Sequence, residues 1–144
     1  GAWVEINQNS VTVRKSRLKA VRADLSNCID LLPTMAVLAA TAKGVSEFVG
    51  IDRARIKESN RVSAVREGLE SMGIEVTEER NRLTIAGSQP RDSIIDTKGD
   101  HRIAMAFSIL GAVAGETIIN DAECVAKTFP EFWSMLRSIG VRWS

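Results

Sequence analysis

The chain repeats itself at an interval of about 70 residues, and that period constrains the fold more than any local pattern. Ser71-Met72-Gly73-Ile74 returns as Ser138-Ile139-Gly140-Val141, and Asp30, Met35 and Ala36 return as Asp100, Met105 and Ala106. Gly1-Ala2-Trp3-Val4 resembles the same helix end once more. Solenoid repeats run to roughly 20–50 residues, so a longer period predicts a small module of several elements. One whole module lies between two partial ones. A first residue of Gly rather than Met predicts a piece of a longer protein.

Within the whole module the spacing predicts a strand over 20–25, a helix over 30–42, a strand over 45–50 and a helix over 58–72. Val62, Val65, Leu69 and Met72 fall at helical spacing in that second helix, and Gly73 supplies a left-handed stop. Residues 74–77 and 82–85 flank a polar turn at Asn81 and read as a hairpin. The module is thus βαβαββ. Residues 3–6 and 11–13 form a matching hairpin at the start. A strand near Ile94, a helix over 101–114, a strand over 117–120, a helix over 128–139 and a strand stub at Val141 begin the pattern again. Thr128 and Glu131 are spaced as a capping box, with Pro130 in the first turn. The helices over 31–42 and 103–114 are apolar on almost every face and are expected inside. The fold class is α+β, with mixed sheets packed over buried helices in one domain spanning residues 1–144.

Composition narrows the chemistry. With 144 residues, 44% of them hydrophobic and 26% charged, the chain reads as one globular domain that needs neither disulfides nor metal for its core. Nineteen basic against 18 acidic residues leave a net charge of +1, so no broad footprint for nucleic acid exists. His101 is the only histidine and Tyr is absent, which removes a multi-histidine metal site and phenol catalysis. Cys28 and Cys124 form no CxxC pair and fit a reducing cytoplasm, Cys28 as an inert core thiol. No apolar run reaches the ~20 residues of a membrane helix, and no signal peptide is recognisable. Phe132, Trp133, Met135, Leu136 and Ile139 are expected to form a core face.

The charges carry the functional signal. Lys57 and Arg61 bracket the start of the second helix, Arg102 opens the third beside His101, and Lys127 precedes the fourth. A cation at a helix N-terminus costs roughly 0.3–1 kcal/mol. Three such starts point to an anionic ligand held jointly by backbone N–H groups and side chains, although solvated charges placed by chance would look alike one by one. Asp30 and Asp100 read equally well as helix caps and as functional carboxylates, and Glu58 is also placed for capping. Beside several cations, Asp30 and Glu58 are able to divide acid and base roles.

Three motifs resemble a known family. Lys57-Glu58-Ser59-Asn60-Arg61, Asp100-His101-Arg102-Ile103-Ala104-Met105-Ala106 and Cys124-Val125-Ala126-Lys127-Thr128-Phe129-Pro130 look like the C-terminal signatures of the EPSP synthases, 3-phosphoshikimate 1-carboxyvinyltransferases. The resemblance covers nearly the whole chain. It departs from the family at Asn60, where Asp is usual, and at Arg53, where some members bind the sugar-like substrate with Asn. It implies an EPSP synthase-like fold of βαβαββ units in two lobes, with this chain most of the C-terminal lobe and the N-terminal lobe outside it. The implied reaction moves the enolpyruvyl group of phosphoenolpyruvate to the 5-hydroxyl of shikimate 3-phosphate with release of phosphate, without metal or organic cofactor. By the same resemblance Asp30 is the base at that hydroxyl and Glu58 the acid at the methylene carbon. Arg61 and Arg102 hold the phosphoenolpyruvate carboxylate, Lys127 its phosphate, Lys57 contacts shikimate 3-phosphate, and His101 supports the site. Its partners are these two small molecules and the protein's own N-terminal lobe, in the cytoplasm, with no nucleic acid and no membrane. The alternatives are the related enolpyruvyl transferase acting on UDP-N-acetylglucosamine, a non-catalytic anion-binding module, and a relative of the RNA 3′-phosphate cyclases.

Overall fold

A computed structural model describes residues 1–142. A hairpin of β1 (Trp3–Asn7) and β2 (Ser10–Arg14) comes first. The whole module then follows as β3 (Arg22–Asp24), α1 (Leu32–Ala40), β4 (Gly44–Val49), α2 (Arg61–Ser71), β5 (Glu75–Glu79) and β6 (Arg82–Gly87). A second, shorter unit consists of β7 (Ser93–Ile95), α3 (His101–Ala114), β8 (Thr117–Ile119) and α4 (Phe132–Ser138). The βαβαββ order expected from the repeat is therefore present once in full.

The module's sheet has the order β3-β4-β6-β5, with β3 and β4 parallel and the other pairs antiparallel. The parallel pair is joined by a crossover through α1, as parallel strands require. Phe48, Leu83 and Ile85 are fully buried against α1 and α2, while Val45 on the other face is 61% exposed. α3 lies against α1 and α2 and closes the core with Ile103, Phe107 and Leu110. Gly68, in the interior of α2, costs that helix about 1 kcal/mol relative to Ala. The reason is proximity, because a Cβ there would stand 2.5 Å from the Phe107 ring. A smaller core of Ala104, Val125, Phe132 and Leu136 joins α3 to α4.

Several expectations need correction. α2 begins at Arg61, three residues later than its periodicity suggested, because Asn60 and not Glu58 is the cap: its side-chain oxygen accepts from the Ser63 N–H at 3.3 Å. α4 begins at Phe132. Thr128 ends a 3₁₀ segment, Ala122–Lys127, so the Thr128–Glu131 capping box does not form and Pro130 lies ahead of the helix. Val141 is not in a strand. Cys28 is exposed, since it precedes the 3₁₀ turn Ile29–Leu31 instead of facing the core. α1 and α3 are apolar all round but not covered all round, with Leu38 and Ile109 each 46% exposed. Ile139 is likewise exposed, while Trp133 and Met135 pack against the small core.

Candidate active site

Four connections that follow the parallel strands carry the predicted site residues. The segment after β3 leads to Asp30 in its 3₁₀ turn. A second 3₁₀ segment after β4, Asp52–Ile56, delivers Lys57 and Glu58 to the start of α2. The segment after β7 reaches Asp100, whose side chain caps α3 by accepting from the Arg102 N–H at 3.0 Å. After β8, Lys127 closes the third 3₁₀ segment. Ligands of open α/β sheets characteristically sit at the carboxyl ends of the strands.

Only Arg61 and Arg102 open α-helices; Lys57 and Lys127 lie at the C-terminal ends of 3₁₀ segments, where a cation suits the dipole. The argument from three mis-charged helix starts thus holds for two. The side chains nevertheless meet, and they meet through carboxylates. Arg61 is 1% exposed and donates from Nε to Asp100 Oδ2 at 2.7 Å, from Nη1 to Asp30 Oδ1 at 2.6 Å and from Nη2 to Glu58 Oε2 at 2.6 Å. Lys57 Nζ lies 3.6 Å from Asp30 Oδ1, Arg102 Nη2 3.5 Å from Asp30 Oδ2, and Lys127 Nζ 3.4 Å from Glu58 Oε1. Four cations and three carboxylates therefore form one continuous cluster at the junction of the two units.

Burial sorts this cluster into a base and a rim. Asp100 is completely buried and also accepts from Ser59 Oγ at 3.0 Å. Asp30 and Glu58 keep 44% and 31% of their side chains exposed, and Lys57, Arg102 and Lys127 keep 34%, 38% and 60%. The base is a buried guanidinium–carboxylate pair that orients the rim, and the rim leaves cations and carboxylates partly open to solvent. Sequence reasoning missed the pairing of Asp100 with Arg61. Its one signal was the recurrence of Asp30 as Asp100.

Electrostatics follow burial. Desolvation opposes the charge of Asp100, but the hydrogen bonds from Arg61, the Arg102 N–H and Ser59 outweigh it and hold its carboxyl below the ordinary range. Arg61 is opposed by the same desolvation and held cationic by Asp100, Glu58 and Asp30. The Glu58 carboxyl is lowered first by a hydrogen bond from its own backbone N–H, against some desolvation, and further by Arg61 and Lys127. Asn60 acts as the helix cap described above. Arg53 donates to the carbonyl oxygen of Ser26, which anchors its segment to the loop after β3. Arg55 does the same on the other flank, to Glu78 and to the carbonyls of Glu79 and Arg80.

His101 is 3% exposed, and its Nδ1 is buried without a hydrogen-bond partner. Burial pushes the imidazole below its ordinary value of 6.5, against the pull of Asp100 and Glu58. An unfolded chain takes up that proton near pH 6.5 whereas the folded one resists it, so folding stability falls as the pH drops below that point. The slope approaches about 1.4 kcal/mol per pH unit until the folded group titrates. Urea unfolding at about pH 7 and about pH 5.5 should show this decline, and His101→Gln should remove it.

Among the described residues no three His, Cys, Asp or Glu side chains are grouped to hold a metal ion, and no helix is long and apolar enough to cross a membrane. A profile of the EPSP synthase (3-phosphoshikimate 1-carboxyvinyltransferase) family matches residues 1–136. A 3-phosphoshikimate 1-carboxyvinyltransferase of Dehalococcoides mccartyi is 59% identical over 140 residues, which are 97% of this chain and 33% of that protein. The solved EPSP synthase from Acinetobacter baumannii aligns with a TM-score of 0.85 at 28% identity, covering 97% of this chain and 36% of that one. The enolpyruvyl transferase NikO from Streptomyces tendae shares the fold, with a TM-score of 0.73 at 23% identity over 99% of this chain and 33% of that one. The chain spans about a third of the length of the curated relatives it matches.

Proposed function

The chain belongs to the EPSP synthase family, and from that premise we propose that it is most of the C-terminal lobe of a two-lobed enzyme making 5-enolpyruvylshikimate 3-phosphate. The observation that carries this reading is the single cluster of Lys57, Arg61, Arg102 and Lys127 with Asp30 and Glu58. Both substrates are phosphorylated carboxylates. A rim of Lys and Arg recognises such groups, Arg through paired N–H donors and Lys as a point charge.

In the proposed reaction the 5-hydroxyl oxygen of shikimate 3-phosphate bonds to C2 of phosphoenolpyruvate as its proton passes to Asp30. Glu58 gives a proton to C3, and a tetrahedral adduct results. C3 then returns a proton to Glu58 as the C2–O bond to phosphate breaks and the departing phosphate takes the proton held by Asp30, which restores the double bond, frees phosphate and resets both carboxyl groups. Arg102 holds the substrate carboxylate, Arg61 completes that site from beneath, Lys127 receives the phosphate and Lys57 contacts shikimate 3-phosphate. His101 supports the base of the site as a neutral imidazole. Fixed cations stabilise the adduct most when water is excluded. That exclusion needs the opposing N-terminal lobe, so the 144-residue chain alone is inactive. Both cysteines are free, in keeping with a cytoplasmic enzyme.

The test is phosphate release from phosphoenolpyruvate by the complete two-lobed polypeptide, with and without shikimate 3-phosphate. Release that depends on shikimate 3-phosphate is expected, and release that depends on UDP-N-acetylglucosamine instead would overturn the assignment. The isolated chain should release none. Lys127 makes one ion pair at the cluster's most exposed corner. Lys127→Met should therefore leave the melting temperature unchanged while raising KM for phosphoenolpyruvate roughly 10- to 100-fold, the worth of one charge-assisted contact.

A further inference from the structure

The segment Asp52–Ile56, which delivers Lys57 and Glu58, is held by the turn of the β5–β6 hairpin. Asp52 donates its backbone N–H to Asn81 Oδ1 at 3.0 Å. Arg55 donates from Nε to the Arg80 carbonyl at 3.1 Å, from Nη2 to the Glu79 carbonyl at 2.6 Å and from Nη1 to Glu78 Oε1. Three donors on three acceptors use the whole rigid fork of a guanidinium, which an ammonium on a flexible stem does not reproduce. The Glu78 side chain is 17% exposed and is itself fixed to α2, accepting from Ser63 Oγ at 3.2 Å and from Arg66 Nε at 2.8 Å. Desolvation opposes its charge, but the bonds from Arg55, Arg66 and Ser63 outweigh it and hold the carboxyl below its ordinary range.

Arg55 stands where packing ends. Ala54 is fully buried, while Ile56 is 82% exposed. Beyond them Lys57 continues in extended backbone, φ −101° and ψ −154°, and reaches Asp30, and Glu58 reaches Arg61 and Lys127. A stretch with so little apolar burial opens readily unless polar contacts hold it. Arg55 supplies such contacts immediately before the two functional side chains.

We propose that Arg55 is a positioning residue for the reaction, its grip on Glu78 and the hairpin turn setting where Lys57 and Glu58 stand. This rests on the roles given to those two residues above. The consequence is selective. Lys57 and Glu58 follow β4, whereas Arg102 and Lys127, which hold phosphoenolpyruvate, follow β7 and β8. Loosening the segment therefore weakens the contact to shikimate 3-phosphate and the proton transfer at the methylene carbon, and it spares the phosphoenolpyruvate site. A misplacement on the order of 1 Å is enough to cost about 10²-fold in rate.

In the complete two-lobed polypeptide, Arg55→Met is expected to lower kcat roughly 10- to 100-fold and to raise KM for shikimate 3-phosphate about 10-fold, with KM for phosphoenolpyruvate unchanged. Glu78 keeps Arg66 and Ser63 in that variant, so no naked carboxylate is left and the fold is retained. Arg66→Met is the control. It removes an arginine of similar exposure, 30% against 24%, from the same carboxylate, and its ion pairs run to Glu67, Glu70 and Glu78 and not to the segment. Its kinetics should stay near those of the parent, because lost stability alone cuts the active fraction and not the affinity for one substrate. Hydrogen exchange over residues 52–58 of the same polypeptide, free of substrate, should quicken in Arg55→Met and not in Arg66→Met. Parental kinetics in Arg55→Met, an equal effect of Arg66→Met, or unaltered exchange over 52–58 overturns the positioning role. A parent that releases no phosphate with shikimate 3-phosphate, while Arg55→Met still quickens the exchange, overturns instead the reading of the reaction and the role that rests on it.

Discussion

Arg61→Met is expected to remove about 3–5 kcal/mol of folding free energy, the cost of leaving a buried charge without its partner. Its guanidinium bonds three carboxylates, one of them fully buried, and methionine replaces its volume without its donors. Asp100 would remain in the interior with only Ser59 and the Arg102 N–H to compensate its charge. A domain has about 5–15 kcal/mol in total, so the variant should unfold at much lower urea. Adding Asp100→Asn to Arg61→Met should restore a good part of the loss, because the double variant no longer buries a naked charge; this non-additivity marks the pair as coupled. A loss below about 1 kcal/mol would mean that the pair behaves like an exposed one. The sign of the acid response follows from the same pair. The folded pKa of Asp100 lies below its ordinary 3.8, so its contribution is complete above that pH and is lost as the pH falls through the folded value. A second loss of stability, below the decline that His101 brings, should therefore set in below about pH 4, and Asp100→Asn should flatten that lower limb.

In the complete enzyme, Asp30→Ala and Glu58→Gln should each lower kcat by about 10²–10⁴, the usual worth of a positioned proton donor or acceptor, with far smaller changes in KM. Near-normal kcat in either variant would remove that residue from its assigned proton role. Glu58 carries a second consequence. Its neighbours hold it ionised, so an acid at this position must acquire its proton when an anionic substrate arrives and raises its pKa. Substrate binding in weak buffer at neutral pH should thus take up a proton, and Glu58→Gln should abolish the uptake.

Local pattern disclosed much of this molecule. α3 starts at His101 and stops at Ala114 as periodicity predicts, because its start is set by a local cap on Asp100 and its stop by Gly115 at positive φ. α2 and α4 were extended too far toward their N-termini for one physical reason. Residues 58–60 and 128–131 link a 3₁₀ segment to each helix through bends and turns, and a 3.6-residue period does not separate such a link from a first helical turn. The motif residues Lys57, Glu58, Arg61, Arg102 and Lys127 do lie together. Their division into a buried base and an exposed rim was not legible, since it rests on Arg61 reaching 39 positions along the chain to Asp100. Asp100 itself read as a cap or as a functional carboxylate. The structure makes it both a cap and an anchor: Oδ1 accepts from the Arg102 N–H and from Arg61 Nη2, and Oδ2 accepts from Arg61 Nε.

Asp30 and Asp100 hold equivalent places in the two repeats, yet one faces solvent and the other is sealed beneath Arg61. A duplicated acid has thereby become two different devices. Asp30 keeps an open side toward whatever enters the cluster, while Asp100 serves as a fixed counter-ion whose charge Arg61 secures.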